Sequence, residues 1–290
     1  MHYRFPKLNS FGFFSRFFWT LLGYIKETLL SAKRVRGSLV GTKEIGGIFH
    51  NKNISAIVVA NGPSAKYLDW KKVHSLQLDG YLKIFVVNYF QKIIPEYITP
   101  DFIVLSDPAN KFDSSEEDRN RKLWDRVKKE ESSNLITPMH WHNKSCKKGS
   151  FGDLCLHFDD RSLEGITLNI NPTKPRGYPT LTAYKALAYA CYLKFSNIYV
   201  IGLDNSNFQN IYLDSDNCIV QSSLHAVSDY SPDINLTKDY NIKIEDYFYD
   251  LAYQNRKLRE CFKFENIYNL GITSFIDVFN RNADLNLLNS

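Results

Sequence analysis

Ile54-Ser55-Ala56-Ile57-Val58-Val59, followed directly by Ala60-Asn61-Gly62-Pro63-Ser64, sets the architecture to expect of the whole chain. The apolar run is continuous and rich in β-branched residues, the pattern of a strand buried on both faces of a parallel sheet. Gly62 permits a tight turn or the close approach of a ligand, Pro63 fixes φ for a first helical turn, and Ser64 is suited to cap the helix. A strand that hands over to a helix in this way belongs to an open α/β sheet, whose ligands bind beyond the carboxyl ends of the strands. Asn61 stands at that mouth with a carboxamide that both donates and accepts, which suits a base, a ribose or a phosphate oxygen. An ordinary strand, turn and capped helix without a ligand reads equally well from these residues alone.

Working outward, a helix is expected to run through Trp70 to Leu76, followed by a strand over 82–87 that ends at Asn88 and another over 101–105 that ends at Ser106-Asp107-Pro108. Asn61, Asn88 and Asp107 then lie at the ends of three successive strands, like the rim of a site. Residues 114–130 read as a solvated helix capped by Ser114 or Ser115, and 134–139 and 154–158 as short strands. A proline-rich loop over 171–179 leads into an alanine-rich helix from Thr180, then a strand over 197–202 that ends at Gly202-Leu203-Asp204. Residues 205–240 are rich in Asn, Ser and Asp without periodicity and read as a lid or a disordered loop. A helix over 245–261, a strand over 266–270 and a final segment, Ser274-Phe275-Ile276-Asp277-Val278-Phe279, complete the order.

The 290 residues, 44% of them apolar, are enough for one large α/β domain, placed at 51–290 after a distinct segment at 1–50. Phe 20 and Tyr 18 against Trp 4 supply core mass and also stacking faces for a sugar or nucleotide. The net charge of +5 is mild and its cations are scattered among acids, so nucleic acid is not an expected partner. The five cysteines are odd in number and far apart, which fits reduced thiols in the cytoplasm. His140, His142 and Cys146 match no zinc spacing, and no metal is expected there. No apolar span is long enough to cross a membrane. In the first segment Phe14, Phe17, Phe18, Leu21, Ile25 and Leu29 share one helical face, and Lys33, Arg34 and Arg36 follow. That is the pattern of an interfacial helix on an anionic membrane, or of a helix packed on the domain or in an oligomer interface.

Within 205–240, His225 lies in a polar segment, where imidazole suits proton abstraction from a sugar hydroxyl, although a loop histidine is commonly just exposed. Tyr212 and Tyr230 offer phenols to a phosphate. Asp214-Ser215-Asp216 has the form that holds a divalent ion in many nucleotide-sugar transferases, but it follows no apolar strand.

These motifs together resemble the bacterial sialyltransferases of glycosyltransferase family 42 and, more broadly, the motility-associated DUF115-like proteins. The likeness spans about 54–279 and rests on Asn61-Gly62-Pro63-Ser64, Asn88, the helix leading into Ile198-Tyr199-Val200-Ile201-Gly202-Leu203-Asp204, Asn269-Leu270 and Ser274-Phe275-Ile276-Asp277. The resemblance implies a GT-A-like, Rossmann-type, mostly parallel α/β domain with a lid. It implies metal-independent, inverting transfer of a nonulosonic acid from a CMP donor to a galactose-type acceptor on a surface glycan. Asn61 and Asn88 would bind the CMP part, with Gly62, Pro63, Ser64, Asp107, Thr182, Gly202, Asp204 and Ser206 around the donor, Tyr212 at its phosphate and His225 as general base. Partners would be the donor, a glycan or glycolipid acceptor, the inner face of the plasma membrane and a second copy of the chain; no cofactor is implied. Asp107 replaces an asparagine of that family's pattern, Ser206 a tyrosine and Pro179 an arginine. A magnesium-dependent pterin diphosphokinase using Asp107 and Asp204, and an inactive nucleotide-binding module, are the alternatives.

Overall fold

The computed structural model describes Leu22 and residues 53–108, 118–138, 141, 155–164, 167–222, 233–263 and 265–281. Its strands are β1 (Ser55–Val59), β2 (Leu82–Val87), β3 (Phe102–Val104), β4 (Asn134–Pro138), β5 (Cys155–Phe158), β6 (Ile198–Ile201), β7 (Ile211–Leu213), β8 (Ile219–Gln221), β9 (Ile234–Asn235) and β10 (Ile267–Asn269). The helices are α1 (Trp70–Leu78), α2 (Asp118–Lys129), α3 (Thr182–Leu193), α4 (Leu236–Tyr240) and α5 (Ile244–Phe262).

Seven of these strands form one sheet in the order β10-β6-β1-β2-β3-β4-β5, and every neighbouring pair is parallel. The chain steps outward from β1 to β5, then returns to lay β6 on the free side of β1. The sheet therefore reverses its direction of growth between β1 and β6, where an open parallel sheet leaves a crevice beyond its carboxyl ends.

Side chains alternate across β1, and each face has its own core. Ala56, Val58 and Ala60 join the cluster that includes α3 and the Leu258, Cys261 and Phe262 end of α5. Ile57 and Val59 join the opposite cluster, with Val73 of α1 and Leu123, Trp124 and Val127 of α2. Both faces are thus covered by helices, which is why the central strands read as largely apolar runs. The alanines of α3 let its backbone come close to the sheet, while Tyr184, Leu187, Tyr189 and Leu193 are fully buried. Each such side chain contributes roughly 1.5–3 kcal/mol of burial free energy.

The first turn departs from expectation. Ser64 does not cap a helix. A 3-10 turn over Pro63–Tyr67 begins there with Gly62 at its N-cap position, and a separate α1 follows. Asp69 caps α1, its Oδ1 accepting from the amides of Lys71 and Lys72, each at 3.1 Å. This leaves the Ser64 hydroxyl for another role.

Residues 205–240 also differ from a structureless loop. Their described part forms a 3-10 turn and an antiparallel sheet, β7-β8-β9, backed by α4. Ile219, Leu236 and Ile242 make its small core, and Asn235 caps α4 by accepting from Lys238 N at 2.8 Å. The edge of Phe208 meets Phe275 with ring centroids 4.7 Å apart, so this unit is seated on the main domain. Among the described residues no helix is long and apolar enough to cross a membrane. The amphipathic face read in residues 1–50 lies outside the described residues.

Candidate functional site at the carboxyl edge of the sheet

The carboxyl ends of β1 and β6 are bolted together. Gly62 N donates to Gly202 O at 2.7 Å, and Ala60 N to Ile201 O at 2.8 Å. A Cβ on Gly62 would lie 2.4 Å from Gly202 O and 2.5 Å from Asp204 Oδ2, so close approach of protein, not of a ligand, requires glycine. Gly202 has φ +72°, and a Cβ there would lie 2.1 Å from Ala60 O, so it needs glycine for both backbone and space. Between them, Ser64 N donates to Asp204 Oδ2 at 2.8 Å, and Gly202 N donates to Ser64 Oγ at 2.9 Å.

The tip of β10 extends this bolt. Ser274 Oγ donates to Leu203 O at 2.8 Å and accepts from Asn269 Nδ2 at 2.9 Å, while Phe275 N donates to Asp204 O at 2.8 Å. Asp204 is 3% exposed. Four residues expected at the donor, Gly62, Ser64, Gly202 and Asp204, are therefore brought together in a network that joins three strand ends. Pro63 begins the adjoining 3-10 turn.

The neighbouring half of the edge is organised differently. Val59 of β1 pairs with Val86 of β2, so Asn61 and Asn88 stand at the same height, each two residues further on. Both are half-buried. Asn88 has φ +42°, a conformation asparagine tolerates better than most residues, and this turns the chain sharply at the end of β2. Its Nδ2 donates to Thr182 Oγ1 at 3.0 Å, and Thr182 Oγ1 lies 2.6 Å from Ser106 Oγ beyond β3. The carbonyl oxygens of the Asn61 and Asn88 side chains, Oδ1 in each case, are buried and without a hydrogen-bond partner among the described residues. Such atoms are costly to bury unless something accepts their bonding capacity. Asp107 follows at the exposed rim.

Thr182 opens α3, and Lys185 follows one turn later on the same face of the helix. Lys185 is 6% exposed, and its Nζ lies 5.0 Å from the centre of the Phe158 ring at the end of β5. Burial lowers its ammonium from the ordinary 10.5 to about 8; the Arg176 guanidinium adds to the lowering, and the carboxylates of Asp160 and Asp107 oppose it. The site thus carries a buried cation within electrostatic range of the Asp107 carboxylate.

The other expected residues are placed apart from this cluster or outside the described residues. Tyr212 is exposed on β7, and its hydroxyl donates to Asp233 Oδ2 at 2.9 Å; that bond raises its pKa. Ser206 is buried at the start of the 3-10 turn that leads into β7. Asp214-Ser215-Asp216 forms the β7–β8 turn: Asp214 Oδ1 accepts from the amides of Asp216 and Cys218, and Asp216 pairs with Lys238 at 2.7 Å. Among the described residues no group of His, Cys, Asp or Glu is arranged to hold a metal ion. Cys191, Cys218 and Cys261 are buried free thiols. His225, Tyr230, His140, His142 and Cys146 lie outside the described residues.

Ser106, Lys185 and Asn205 were not singled out by the sequence reading. Asn205, at φ +52°, carries a buried Nδ2 without a partner among the described residues. Lys185 had a visible signal, since it is the single charge in the twelve residues of α3. No protein-family model matches the chain, and a search of curated proteins finds no significant match.

Proposed function

We propose that the chain is an inverting glycosyltransferase of GT-A-like, Rossmann-type fold that takes a CMP-activated nonulosonic acid and transfers the sugar to a galactose-type hydroxyl of a surface glycan. The observation that carries the nucleotide part is the pair of buried, unpartnered carboxamide oxygens of Asn61 and Asn88, level with each other beside the reversal point of a parallel sheet. A cytosine amino group and ribose hydroxyls are donors of the kind these oxygens lack. The nature of the sugar rests on the sequence resemblance.

In this reading the acceptor hydroxyl loses its proton to His225 as it attacks the anomeric carbon opposite the departing CMP. Residues 205–240 act as the lid that brings His225 to the site, and Tyr212 exchanges Asp233 for the donor phosphate when the lid closes. The first 50 residues hold the protein on the inner face of the plasma membrane, close to a lipid-linked acceptor.

The protein is incubated with CMP-sialic acid and a galactosyl acceptor in the presence of EDTA. Release of CMP with formation of the sialylated product is expected, and His225→Ala lowers turnover about 100-fold while leaving CMP affinity within a factor of two. Magnesium-dependent consumption of ATP with a pterin, and no transfer, would replace this reading with the diphosphokinase. CMP binding without turnover would leave a binding module.

A further inference from the structure

We propose that Lys185, together with the open N-terminus of α3, is the part of the site that binds the phosphate of the nucleotide.

Three features converge on one place. The first is the N-terminus of α3, a helix of 12 residues whose first turn faces the carboxyl edge through Thr182. Leu181 occupies its cap position and supplies no side-chain hydrogen bond. Tyr184 N and Lys185 N both return to Leu181 O, at 3.1 and 3.2 Å, and the amides of Thr182 and Ala183 donate to nothing among the described residues. Free amides at a helix start favour an anion.

The second feature is the ammonium itself. Lys185 is more than nine-tenths buried, yet its Nζ makes neither a hydrogen bond nor an ion pair with any described residue. It has the face of Phe158 on one side, and Asp107, Asp160 and Arg176 close enough for their charges to act on it. An ammonium in such a place, with no acceptor among the described residues, favours an anionic oxygen as its partner.

The third is position. Lys185 sits one helical turn behind Thr182, the residue that ties Asn88 to Ser106. A nucleotide whose base or ribose meets the carboxamides of Asn61 and Asn88 would carry its phosphate toward that turn. The Asp107 carboxylate would repel an anionic ligand at this rim, and the Lys185 charge, on which Asp107 acts, offsets that repulsion. This role rests on the nucleotide reading above, but the anion site itself does not.

Wild-type protein, Lys185→Met and Lys185→Arg are titrated calorimetrically with CMP, cytidine and inorganic phosphate. The expected result is that wild type prefers CMP to cytidine by about 30-fold, that Lys185→Met loses most of that preference without losing cytidine affinity, and that Lys185→Arg keeps at least part of it. Equal affinity of wild type for CMP and cytidine overturns the proposal, and that reading needs no variant to fold. A loss in Lys185→Met shared equally by cytidine also overturns it, because the lysine would then only support the fold. Wild type that binds neither CMP nor cytidine, but binds phosphate in a manner abolished by Lys185→Met and kept by Lys185→Arg, upholds the anion site and rejects the nucleotide. Absence of binding to all three rejects both.

Discussion

The β1–β6 seam and the β2–β3–α3 corner occupy the same edge of one sheet and use the same kinds of residues, but they differ in where their polar groups point. At the seam, Ser64, Asp204, Asn269 and Ser274 bond to one another and to backbone across three strand ends, and Asp204 Oδ1 is the seam oxygen left buried without a partner among the described residues. At the corner, Asn88, Ser106 and Thr182 touch one another, and a carboxamide oxygen, helix amides and a buried ammonium are left over. Polar residues at strand ends are therefore not a site in themselves. What marks the corner is that carboxamide oxygens, helix amides and a buried ammonium are left over together, whereas the seam leaves a single carboxylate oxygen.

If the seam is structural, its damage appears first in stability. Gly202→Ala forces a side chain at φ +72° into Ala60 O, and a loss of roughly 3–5 kcal/mol is expected from urea unfolding. A near-neutral result would mean that the two strand ends separate easily and that the seam is no bolt.

The corner's buried cation gives the next effect. Folding holds the Lys185 pKa below its unfolded value, so the folded protein bears the cost of a buried ammonium below about pH 8 and is relieved of it as pH rises toward 10.5. Unfolding free energy of the unliganded wild type, measured relative to Lys185→Met, should rise by about 2 kcal/mol between pH 8 and pH 10. A flat difference would show that the ammonium is well solvated.

Ser64→Ala and Asn88→Ala then separate the halves directly. Ser64→Ala removes the acceptor of Gly202 N and should cost about 1–2 kcal/mol of stability while CMP affinity stays within a factor of two. Asn88→Ala should cost about 1–2 kcal/mol of stability, because alanine loses the bond to Thr182 and fits φ +42° less well, but unlike Ser64→Ala it should also weaken CMP about tenfold. The reverse pattern would exchange the roles assigned to seam and corner.

The parallel sheet was legible because β1, β2 and β6 are nearly continuous apolar runs, broken by Ser55 and Lys83 near the starts of β1 and β2, the pattern that burial on both faces imposes. Asn61 and Asn88 were visible at the strand ends for the same reason. The purpose of the glycines was not, since Gly62 reads alike whether its neighbour is a ligand or Gly202. Ser64 reads as a cap by type, yet the chain takes a 3-10 turn there and Asp69 performs the capping. Lys185 escaped notice because a lysine in a helix is ordinarily solvated, and only the helices and strands packed around α3 reveal that it is not. The β7–β9 unit was missed because strands of two or three residues carry too few positions to show alternation.

The most direct test is a titration of isotope-labelled protein with CMP, followed through the side-chain amide NMR signals of its asparagines. The signals of Asn61 and Asn88 are expected to shift saturably while that of Asn269, locked in the seam, stays in place. Movement of Asn269 with Asn61 and Asn88 unmoved, or no saturable shift in any of them, would contradict a nucleotide site at the open corner of the sheet.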